Sequence, residues 1–190
     1  MTEDRTPLAW PGAPGGPPTP EDRKVLEAQL RFVRYEPVRV VCRCPAGQPQ
    51  VVLSFFAPGE PTEVSTNIFW VTSPYLRVGV DRLEARGLAR ELKAWVLGDE
   101  ARAEAFRQDQ LAYHGLVVRL FDAWLSRPPP RAGEFGIGGV RALDQLKCLH
   151  AHLACHLATG RSVVGARVEE ILKQELRPGF LCEEGRCPRT

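Results

Sequence analysis

Short runs of β-branched and aromatic residues come first in this chain, and helical periodicity then takes over for the remainder. That order excludes alternating βαβ units and points to a small N-terminal sheet covered by helices. Val38 to Cys44, Gln50 to Phe56 and Asn67 to Thr72 have the length and the Val/Phe content of strands. Pro45-Ala46-Gly47-Gln48-Pro49 between the first two is turn chemistry, and Pro58-Gly59-Glu60-Pro61 reads as an exposed loop. After Ser73-Pro74, Tyr75, Leu76, Val80 and Leu83 recur at helical spacing up to Gly87. A second helix is expected over Leu88 to Leu97. A long one, capped by Asp99, carries Phe106, Tyr113, Val117, Leu120 and Trp124 and stops at Pro128-Pro129-Pro130. Lys147 to Gly160 and Val163 to Leu176 complete the helical half. Thr19-Pro20-Glu21-Asp22 marks an earlier helix start, with Val25, Leu26, Leu30 and Val33 as its apolar stripe. The expected fold class is α+β, about three strands packed by four to six helices.

A chain of 190 residues, 44% hydrophobic and 25% charged, suffices for one domain with its own core. The expected boundaries are a disordered Pro/Gly-rich leader over 1–20, a globular domain over 21–177 and a flexible tail over 178–190 containing Cys182 and Cys187. A net charge of +2 gives no electrostatic case for nucleic acid or an anionic membrane, which leaves a protein partner as the macromolecular option. Met1 to Arg5 lacks the features of a secretory signal, and no apolar stretch approaches the roughly 18 residues that span a bilayer. A cytoplasmic setting with reduced thiols is expected, where clustered cysteines argue for metal or redox chemistry.

The chemistry-bearing residues crowd into Lys147 to His156, which holds two of the six cysteines and three of the four histidines. On a helix that includes Cys148, the residues Cys148, His152, Cys155 and His156 share an arc of roughly 100°, while His150 points elsewhere. A tetrahedral zinc site needs four nitrogen or sulfur donors, and one helix offers only two or three. Cys44, at the mouth of the Pro45 turn, and Cys42, two positions earlier on the same strand face, are the natural complement. The expected ligands are therefore Cys44, Cys148, His152 and Cys155, with Cys42, His150 and His156 as alternates, in a structural zinc site. Two other readings stand beside it. Cys148 could be a thiol nucleophile served by a nearby histidine. Alternatively the cysteines pack as small hydrophobes in a non-catalytic interaction module. Arg82 and Glu84 are read as ion-pairing groups on a helix facing the sheet. Gly136-Ile137-Gly138-Gly139 lacks the spacing of a phosphate-binding loop.

Several blocks together resemble a bacterial family catalogued as domain of unknown function 501. They are Arg43 to Val51, Trp70 to Leu76, Arg82-Leu83-Glu84, Gly136 to Gly139 and Lys147 to His150, in family order within about residues 25 to 172. The resemblance implies donor positions at Cys44, Cys148 and His150, with Cys155 where the family usually has histidine. It also puts Ser73 where the family usually has cysteine. With that thiol gone, an iron–sulfur cluster is disfavoured unless Cys42 takes part.

Overall fold

The computed structural model describes residues 15–30, 38–57 and 60–175. The expected leader up to residue 14, the tail with Cys182 and Cys187, and Val33 lie outside the described residues. The elements follow one another as α1 (Pro20–Gln29), β1 (Arg39–Arg43), β2 (Pro49–Leu53), β3 (Phe56–Ala57), β4 (Glu60–Val64), β5 (Phe69–Val71), α2 (Pro74–Ala85), α3 (Leu88–Leu97), α4 (Glu100–Leu125), α5 (Leu149–Thr159) and α6 (Val163–Glu175). A single-turn helix at Ile137–Gly139 precedes α5. The fold class is α+β, as the order of patterns implies.

Strands β1, β2 and β5 form an antiparallel sheet in the order β1-β2-β5, so β5 lies at one edge. Side chains alternate across it. Val41, Val51, Leu53, Phe69 and Val71 enter the main core with the helices, while Val40, Val52 and Trp70 face the other way to meet Leu26 and Leu30 of α1. The sheet is thus covered by α1 on one face and by α5, backed by α6, on the other. Phe56, expected at the end of the second strand, begins a separate hairpin instead, in which β3 pairs with β4. The cause is local: Ser54 Oγ accepts the Phe56 amide at 3.2 Å, an alternative to the ladder that turns the chain out of the sheet. Glu60 and Pro61, the second half of the expected loop, open strand β4 (Glu60–Val64) for that reason.

Helix α1 is pinned by charge as well as by apolar contact. Thr19 and Asp22 form a reciprocal capping box, and Arg43 of β1 grips both Asp22 oxygens at 2.6 and 2.7 Å. That bidentate bond holds the Asp22 carboxyl down at about 2, against the opposing effect of burial. Arg43 also donates to the Gly47 carbonyl, so one side chain ties α1, β1 and the turn together. On the opposite side, α4 fastens several distant segments. Tyr113 accepts the Ile68 amide and donates to the Thr66 carbonyl, Gln110 accepts the Ile137 amide and donates to the Gln145 carbonyl, and Asp109 accepts the Val163 amide that opens α6. No helix among the described residues is long and apolar enough to cross a membrane.

Candidate metal centre

Helix α5 begins at Leu149, not Lys147, and Cys148 is its N-cap with extended backbone (φ −142°, ψ 117°). The helical wheel that set Cys148 beside His152 and Cys155 therefore does not apply to it. An N-cap side chain lies off the helical path, and here Cys148 comes beside His150, the residue the wheel turned away. Gly138, which abuts this start, is in the left-handed region at φ 75°, and that backbone rather than space is what calls for glycine: a β-carbon there would make only ordinary contact with Cys148 Cβ at 3.7 Å and Ala151 Cβ at 3.6 Å.

The third member of the site comes from the end of α2. Glu84 Oε1 accepts the Leu149 amide at 2.6 Å, one of the unsatisfied donors of the first turn of α5, where the positive end of the helix also favours a carboxylate. Its other oxygen, Oε2, lies 3.5 Å from His150 Nδ1. One donor atom each from Glu84, Cys148 and His150 falls within 4.8 Å of the other two, a grouping that could hold a metal ion. Among the described residues, Cys44, His152, Cys155, Cys42 and His156 enter no group of three donors this close.

The tautomer of His150 follows from its neighbours. Nε2 is 3.3 Å from the Arg77 carbonyl and 3.4 Å from Asp81 Oδ1. A carbonyl oxygen can only accept, so Nε2 carries the hydrogen and donates it. In the neutral ring, the Nδ1 lone pair then faces Glu84 Oε2, 3.5 Å away. Burial opposes charge on this imidazole, but the hydrogen bond with Cys148 and the carboxylates of Glu84 and Asp81 together raise its pKa. The site wants a positive charge between its three electron-rich groups. Cys148 and His150, with Glu84 behind them, line a cleft of about 280 Å³ whose other walls include Leu30, Phe69, Trp70, Val71, Arg77 and Ala151.

The remaining expected ligands lie outside this group; Cys42, Cys44 and His156 are linked through Glu169, which pairs with His156 and acts on Cys42, and His152 and Cys155 are in the core. His152 is wholly buried, stacked on Phe106, with Nδ1 2.9 Å from Ser162 Oγ; burial pushes its pKa down to about 3. The Cys155 thiol lies against Thr159 and is pushed up by burial to about 12. His156 pairs with Glu169 on α6. Cys42 approaches Gln50 and is pushed up to about 11, by burial first and then by Glu169 and Cys44. Cys44 is buried at the turn, where its carbonyl accepts the Gly47 amide. None of the four described cysteines is in a disulfide. Ser73, where the resemblance implied a cysteine, is the N-cap of α2. Ile137 in the glycine loop gives its amide to Gln110, so that amide does not await a phosphate.

The sequence reading passed over Glu84 as a ligand, although it stands in the Arg82-Leu83-Glu84 block. It is separated from Leu149 by 65 positions, and only the packing of α2 against the start of α5 brings them together. An α+β domain with a mixed oxygen, sulfur and nitrogen donor set, open to a cleft, is the class that fold and site define. The family model described as protein of unknown function (DUF501) matches residues 40–170, which include all three donors, and the chain belongs to that family. Comparison with curated proteins and with solved structures gave no match.

Proposed function

We propose that Glu84, Cys148 and His150 bind one divalent cation, zinc in the first instance, at the wall of the cleft. The observation that carries this reading is the His150 lone pair. With Nε2–H committed to the Arg77 carbonyl, Nδ1 faces the Glu84 carboxylate with Cys148 in the same group, an electron-rich arrangement that a proton or a metal cation relieves. A metal-bound histidine ordinarily donates its other ring N–H to a carbonyl or carboxylate, which is the part Arg77 and Asp81 play. Mixed sulfur, nitrogen and oxygen donors suit zinc, whereas an iron–sulfur cluster wants more thiolates than one. Three protein ligands leave a fourth position to water or a bound molecule, the pattern of reactive rather than closed structural zinc sites. A reduced thiolate ligand also fits a cytoplasmic setting.

Elemental analysis of untagged protein, followed by zinc competition with a chromophoric chelator, tests the reading. One zinc per chain is expected, with affinity falling at least ~10- to 100-fold in Glu84→Gln, Cys148→Ser and His150→Ala. Cys42→Ser should keep the metal. Wild-type protein that binds no more zinc than the three variants overturns the proposal.

A second reading rests on the same lone pair and on Cys148 being an N-cap whose side chain makes no capping bond. A proton in place of the metal gives a thiolate–imidazolium pair and a nucleophilic cysteine. Alkylation by iodoacetamide at neutral pH separates the two. Protection of Cys148 by stoichiometric zinc supports the metal centre, while fast labelling that zinc leaves unchanged supports the nucleophile.

A further inference from the structure

The cleft beside the metal centre has one wall made of protein backbone. Phe69, Trp70 and Val71 all line it, yet their side chains alternate between the two faces of the sheet. Three consecutive residues share one wall when that wall is the strand edge, and β5 is the edge of its sheet. The ladder shows which groups point there. Ser54 donates to the Ile68 carbonyl and Thr72 donates to the Gln50 carbonyl, with Val52 opposite Trp70 between them. The Ile68 carbonyl, both backbone groups of Trp70 and the Thr72 amide therefore point to the β2 side, while the Ile68 amide is taken by Tyr113. The amides and carbonyls of Phe69 and Val71 face away from β2, toward the cleft. No described strand pairs with that edge.

We propose that the cleft receives a short extended peptide with apolar side chains as an added strand on β5, its terminal carbonyl group reaching the metal. Unpaired strand groups with 69/71 spacing call for the periodicity of another extended backbone. Alternate side chains of such a strand meet apolar walls on both faces, Leu30 on the α1 side and Ala151 on the α5 side. A volume of about 280 Å³ limits the buried part to roughly two residues. The metal-directed end of this inference rests on the proposed centre, and the strand pairing does not.

Three probes test the two halves separately: acetyl-Val-Leu-amide, the same peptide N-methylated at its backbone amides, and acetyl-Val-Leu-hydroxamate. In amide nitrogen–proton spectra of the full chain, the unmethylated amide should shift the Phe69 and Val71 signals, with or without zinc. N-methylation, which removes the peptide's donors, should weaken binding on the order of tenfold. The hydroxamate should bind at least ~10-fold tighter than the amide in zinc-loaded protein and equally in metal-stripped protein. Equal binding of the methylated and unmethylated peptides, or binding that leaves the Phe69 and Val71 signals in place, overturns the strand pairing. Loss of the hydroxamate advantage with the pairing intact counts against the metal centre alone.

Discussion

Asp22→Asn is expected to lower the stability of this domain by about 2 kcal/mol at neutral pH, and by almost nothing near pH 2. Asp22 is only 5% exposed and its carboxyl is held at about 2, against an ordinary 3.8, with the Arg43 hydrogen bonds as the largest cause. A difference of nearly two units, at about 1.4 kcal/mol each, gives the figure as an order of magnitude. The sign follows from the depressed value. Stabilisation is complete above the unfolded carboxyl's pKa near 4 and is lost as pH falls toward 2, where the folded state also takes up the proton. Asparagine keeps an oxygen for the Thr19 amide, so the capping box survives, while the Arg43 fork loses the charge and one of its two acceptors. Urea melts of both proteins at pH 7, 5, 3 and 2.5 measure the gap directly, which cancels the other carboxylates they share. Arg43→Gln should give a similar loss at neutral pH, and the double variant should lose much less than the sum. A gap under about 0.5 kcal/mol at pH 7, or one that stays constant down to pH 2.5, refutes the reasoning. Because α1 carries Leu30 to the cleft, peptide binding should weaken along with the helix.

Two further substitutions probe how the site is held. Gly165→Ala drives a β-carbon into the His152 carbonyl oxygen and within 2.6 Å of His156 Cβ, so α5 and α6 must separate; a loss of about 1–3 kcal/mol in thermal or urea melts is expected, and wild-type stability would contradict it. Gln110→Leu leaves the buried Ile137 amide without its acceptor, at a cost of about 1–3 kcal/mol, and frees the glycine loop that abuts Cys148, so zinc affinity measured by chelator competition should fall with it.

The strands and helices were legible because each carries its own local signal. Val and Phe runs bounded by Pro and Gly located β1, β2 and β5, and the Thr19-Pro20 and Asp99 caps located the starts of α1 and α4. The β3–β4 hairpin escaped because its cause is a single side-chain bond from Ser54, invisible to periodicity. At the candidate site, Cys148 and His150 announced themselves by residue type, but their relation did not. Whether Cys148 belongs to the helix or precedes it changes the direction of its side chain, and helix starts are uncertain by a residue or two on sequence alone. The partner that marks the start is the Glu84 carboxylate on the Leu149 amide, a contact between α2 and α5 that no local pattern encodes. Cys155 and His152 share a face of α5, as spacing implies, yet that face is turned into the core.

Asp109, Gln110 and Tyr113 lie within a little over one turn of α4, and each holds a different piece of the chain: the first amide of α6, the glycine loop and the segment leading into β5. Fluctuations at these places are consequently correlated. An opening that lifted α4 would break the contacts to the segment before β5 and to the cysteine's supporting loop in the same event, so both sides of the cleft depend on the same turn of one helix.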